Sequence, residues 1–120
     1  MTKFKHKMLV NKYLKNLDKF EKSVRELRIA IGKCRSIKKY LSELSSTETQ
    51  EYRDAIQKEY HMAVEKAVAL NKQANVLNSI VAETVCDLEK ANGFEKVNQD
   101  KFKDNSKMLD DINVEMAFMH

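Results

Sequence analysis

The sequence predicts an all-α fold: a long antiparallel, coiled-coil-like helical hairpin, with a shorter third helix on one end that completes a three-helix bundle. Three observations predict it. Apolar residues recur at alternating spacings of three and four from Val10 to Leu41, and again from Tyr60 to Ala91, the rhythm of helices that bury one narrow stripe. A single polar break, residues 42–50, separates the two runs. The 120 residues include no Pro and two Gly, Gly32 and Gly93, too little turn chemistry for an all-β or α/β domain.

The chain reads as one domain, 1–120, and the first helix is expected over about 2–44. Its seam is Val10, Tyr13, Leu17, Phe20, Val24, Leu27, Ile31, Cys34 and Leu41, with Lys38 as a polar intruder. Gly32 inside it costs about 1 kcal/mol relative to Ala and marks a bend or a close contact. In the break, Ser45 with Glu48 and Thr47 with Gln50 both have the capping-box spacing that starts a helix. The second helix is expected over about 47–91, with a seam of Tyr60, Ala63, Ala67, Leu70, Ala74, Leu77, Val81, Thr84, Leu88 and Ala91, ended by Asn92-Gly93. The third is expected over about 98–119, with a seam of Phe102, Asn105, Leu109, Ile112, Met116 and Met119.

If residues 45–48 form the tip, residues facing each other across the hairpin have numbers summing to about 93. Phe20 then meets Ala74, Leu27 meets Ala67 and Ile31 meets Ala63, so bulky groups nest over alanines as facing layers require. The third helix is too short to cover the hairpin. It is expected on the end nearest the N-terminus, leaving the tip half, around residues 28–66, two-stranded. Apolar residues off the main seam, Ile29, Ile37, Leu44, Val64 and Val68, then need another chain to cover them. On the last helix Phe118 and Met108 are poorly placed for burial, and Phe118 joins the partner-binding set.

Charge is uneven. Residues 1–41 carry 13 Lys or Arg against three acids, a net of +10, and the remainder carries nine against 15, a net of −6. Lys5, Lys12, Lys15, Lys19 and Lys22 fall on one outward stripe of the first helix, flanked by Arg25, Arg28 and Arg35. Such a stripe suits an acidic protein partner, or the phosphates of an anionic membrane surface or nucleic acid. No aromatic residues interleave it for base stacking.

Catalytic and metal chemistry is not expected. His6, His61 and His120 are dispersed, and His61 with Glu65 reads as a surface pair. No zinc-ligand spacing, Glu-x-x-His repeat, phosphate loop or nucleophile elbow occurs. No catalytic, metal or cofactor-binding residues, no cofactor and no small-molecule substrate are therefore assigned. Cys34 and Cys86 lie about 27 residues apart along the hairpin, roughly 40 Å at about 1.5 Å per residue. A disulfide needs Cα atoms within about 7 Å, so both read as small core residues in a reducing, cytoplasmic setting.

In architecture, without a shared motif, the basic first helix, long second helix and short acidic third one resemble several families of small coiled-coil proteins. These are the hairpin accessory proteins of secretion and export machines, subunits of endosomal adaptor complexes, and the hairpin core of membrane-remodelling filament subunits. The sequence leads to a non-enzymatic interaction module, a subunit, adaptor or chaperone that binds a protein partner or a second copy. The alternative is a protein whose basic helix binds an anionic surface.

Overall fold

The computed structural model describes residues 3–91 and 99–119 and contains three helices: α1 Lys3–Glu43, α2 Gln50–Lys90 and α3 Asp100–Ala117. No strand occurs among the described residues. The molecule is a rod of 71 × 17 × 17 Å, with a radius of gyration of 19.6 Å against about 14 Å for a compact domain of this length. Both long helices have 41 residues, so each is about 61 Å long at 1.5 Å per residue.

The seams fold as their spacing requires. Tyr13, Leu17, Phe20, Val24, Leu27, Ile31 and Cys34 of α1 are buried, as are Ala63, Ala67, Ala74, Val81, Thr84 and Leu88 of α2. Phe20, Leu27, Ala67 and Ala74 have no more than trace exposure, consistent with large groups facing alanines. Near the tip the Tyr40 and Tyr52 hydroxyls hydrogen-bond across the hairpin, residues whose numbers sum to 92. Lys38, the intruder, is exposed.

The tip departs from expectation. Neither Ser45 nor Thr47 caps α2. Thr49 does, with extended backbone (φ −67°, ψ 152°) and its hydroxyl accepting from the Tyr52 amide at 3.2 Å. The Ser45 and Thr47 hydroxyls instead bond each other at 2.7 Å within the turn, and the Arg53 guanidinium donates to the Ser45 carbonyl. Asn92-Gly93, the expected stop of α2, lies outside the described residues. Gly32 is also not the close contact that was expected, because a Cβ added there meets nothing within 4 Å.

The larger correction concerns α3. Rather than covering the N-terminal end, it lies beside residues 20–35 of α1, parallel to it. Lys101 pairs with Glu21 at 3.8 Å, the Arg28 guanidinium approaches the Met108 sulfur at 3.8 Å, and Arg35 grips Glu115. The three α1 residues are seven apart, and so are their α3 partners, which is the heptad register of two helices sharing one face. Residues 28–35 are therefore part of the three-helix section, and the two-stranded part of the tip is shorter than expected. The Phe20 and Phe102 rings meet at 6.2 Å, and Leu109, Ile112 and Met116 complete the buried cluster.

Candidate partner-binding surface

The apolar residues expected to await a partner divide by helix face. Ile29 is 70% exposed and Phe118 80% exposed. Val64 is a correction: it is buried, at 9% exposure, in the cluster that holds Ala63, Ala67 and Met116. Its burial follows from the reach of α3. From the Asn71–Asn113 contact, the antiparallel run of α3 carries Met116 and Met119 toward Val68 and Val64. Val68 and Ile37 are half-buried against the same cluster, and Leu44 is half-buried. Met108, as its position suggested, is exposed.

Ile29 lines a groove of about 400 Å³ between α1 and α2, on a face to which α3 contributes nothing. Ala30 and Ala63 form its floor, each 8% exposed, and Ile29 and Met62 (61% exposed) stand along its walls. Four charged residues, Glu26 and Lys33 from α1 and Glu59 and Lys66 from α2, together with the half-buried Leu70 of α2 complete the lining. The four charged residues stand at its margin. All four are exposed, and none makes a salt bridge among the described residues. The alanines are small enough for the backbones to leave a trough, and helix periodicity keeps Ile29 and Met62 out of the seam.

The opposite groove is occupied by α3 through polar contacts that sequence reasoning did not identify. Asn71 Nδ2 donates to Asn113 Oδ1 at 2.7 Å, Asn75 Nδ2 to the same oxygen at 3.1 Å, and Asn113 Nδ2 to Asn75 Oδ1 at 3.1 Å. The Ser106 hydroxyl donates to Asn78 Oδ1 at 2.6 Å. Arg35 donates to both Glu115 oxygens, at 2.7 and 2.6 Å, a fork that holds its guanidinium pKa above the ordinary value. Arg28 and Arg35, which the sequence placed beside the lysine stripe, thus turn toward α3.

The stripe itself remains outward: Lys5, Lys12, Lys15, Lys19 and Lys22 are all exposed. Lys22 pairs with Asp18 at 3.2 Å, whereas Lys12, Lys15 and Lys19 make no salt bridge among the described residues.

The two thiols differ. Cys34 is buried, and burial pushes its pKa up. Cys86, expected in the core, is exposed. Two residues from buried Thr84, it stands about 200° around the helix and away from the seam. His61 packs its ring against Tyr60 at 6.0 Å, and no group of three or more His, Cys, Asp or Glu is placed to hold a metal among the described residues. No helix among them is long and apolar enough to cross a membrane.

Comparison with protein-family models, with curated proteins and with solved structures found no match to this chain.

Proposed function

We propose that this chain is a non-enzymatic protein–protein interaction module, a subunit of a larger assembly that docks through the open face of its hairpin. One observation carries the reading: the groove between α1 and α2 exposes Ile29 and Met62 above an alanine floor while α3 fills the other side. A rod 17 Å across buries little on its own, and a second packed surface is the usual remedy for a small helical core. Unpaired charges at the groove's margin would set orientation more than affinity. The test is light scattering and native mass spectrometry of the wild type and of an Ile29→Asp/Met62→Asp variant. The expected result is a complex, with itself or with a co-purifying protein, that the variant loses while keeping its helical circular dichroism. A wild type that is monomeric at high micromolar concentration and co-purifies with nothing overturns the proposal, as does a variant that associates equally well.

A second reading rests on Lys12, Lys15 and Lys19, exposed on one stripe of α1, within the first 41 residues of the chain, which carry a net +10. In it, the stripe binds an anionic membrane surface or nucleic acid by counterion release. Lys-to-Glu changes at these three positions should abolish binding to anionic vesicles or to duplex DNA. Equal binding by the variant, or binding unchanged between about 50 and 200 mM salt, contradicts it.

A further inference from the structure

The groove is built from one pattern used twice. Residues 26–33 read Glu-x-x-Ile-Ala-x-x-Lys and residues 59–66 read Glu-x-x-Met-Ala-x-x-Lys, one on each helix. The hairpin pairing, in which facing numbers sum to about 92, lays the two octets side by side in opposite senses. Glu26 then stands opposite Lys66, Lys33 opposite Glu59, Ile29 opposite Ala63 and Ala30 opposite Met62. Leu70, outside both octets, is the one lining residue without a counterpart; the rest of the face has a local two-fold symmetry, with charges alternating in sign around the four corners of an apolar rectangle.

Building on the interaction reading above, we infer that the occupant of this groove is a second copy of the same chain, docked face to face. Charge complementarity selects it. A partner must place a base over Glu26 and Glu59 and an acid over Lys33 and Lys66, in alternating corners. This chain does so itself when turned over about a two-fold axis lying in the face, either along the hairpin or across it. Each axis brings all four corners together with opposite signs, and every pair of apposed helices is then antiparallel. A diagonal axis brings like charges together and is excluded. Ala30 and Ala63 let the second hairpin approach closely, and the Ile29 and Met62 side chains of each copy are received over these alanines of the other in an isologous contact. The product is a four-helix core, with α3 of each copy on the outside.

The test uses full-length chains with altered corners. Lys33→Glu with Lys66→Glu makes all four corners acidic, and Glu26→Lys with Glu59→Lys makes them all basic. All four positions are exposed, so circular dichroism should match wild type. The wild type should dimerise by sedimentation equilibrium. Each double variant should weaken self-association by about tenfold or more, since each of four corner pairs contributes up to about fivefold. A mixture of the two should form the heterodimer, resolved by mass, with affinity near that of wild type. A wild type that stays monomeric at about 100 µM, variants that self-associate as tightly as wild type, or a mixture with no preference for the heterodimer each overturn the inference. If the wild type is monomeric yet loses another captured protein on Ile29→Asp/Met62→Asp, only the choice of occupant falls. If that variant changes neither self-association nor capture, the interaction reading falls with it.

Discussion

At the scale of single residues, burial rather than residue type decides what each side chain does. Cys34 and Cys86 share a side chain and differ in everything else. Cys34 sits in the seam with its thiol pKa raised by burial, so the reactive thiolate is suppressed, and Cys86 faces outward. A thiol reagent such as a maleimide is expected to label exposed Cys86 in the native protein and to reach Cys34 only on unfolding, as peptide mass spectrometry would read. Rapid native labelling of Cys34 contradicts the packing described. Gly32 offers a second test. It lies inside α1 with open space where a Cβ would be, so Gly32→Ala should stabilise by about 0.5–1 kcal/mol in urea denaturation. A destabilised variant would show that the glycine is needed for a contact the structure does not contain.

At the scale of elements, the two long helices were legible in the sequence because one physical rule governs them. A narrow buried stripe imposes its three-four spacing on every turn, and Tyr13, Phe20, Leu27, Ala67 and Ala74 all fall where that spacing puts them. The position of α3 was not legible, because its contacts are side-chain pairs between distant segments and leave no local period. The heptad step from Glu21 to Arg28 to Arg35, mirrored by Lys101, Met108 and Glu115, is present in the sequence, but only the choice of a parallel register makes it meaningful. The same gap in reasoning left Val64 assigned to a partner, when α3 brings Met116 and Met119 toward it. Thr49 was missed as the cap because two neighbouring hydroxyls had the conventional spacing and their mutual bond is set by the turn.

Which contacts hold α3 can be decided by magnitude. The Arg35–Glu115 fork has good geometry, but the Arg35 side chain is 65% exposed, so a double-mutant cycle should give a coupling of about 1 kcal/mol or less. Leu109 has no exposed surface, and Leu109→Ala should cost about 2–5 kcal/mol. Apolar burial therefore attaches α3, while the fork and the Asn71–Asn75–Asn113 cluster fix its register. Denaturant titrations of Leu109→Ala and of the cycle variants check both numbers. A fork worth more than Leu109 would reverse the assignment.

At the scale of the whole molecule, a thin rod carries one filled groove and one open one, and the open one bears the repeated octet. The sequence showed Ile29 as exposed but not the groove, since Met62 and the charge corners acquire meaning only when α1 and α2 are laid side by side in register. The most direct measurement is hydroxyl-radical footprinting of the methionines across a protein concentration series. Met62 and Met8 are similarly exposed, at 61% and 55%, but only Met62 lines the groove. Oxidation of Met62 relative to Met8 should fall as concentration rises and the groove becomes covered. A ratio that stays constant from low to high micromolar concentration would contradict the assignment of this face as the contact surface between copies.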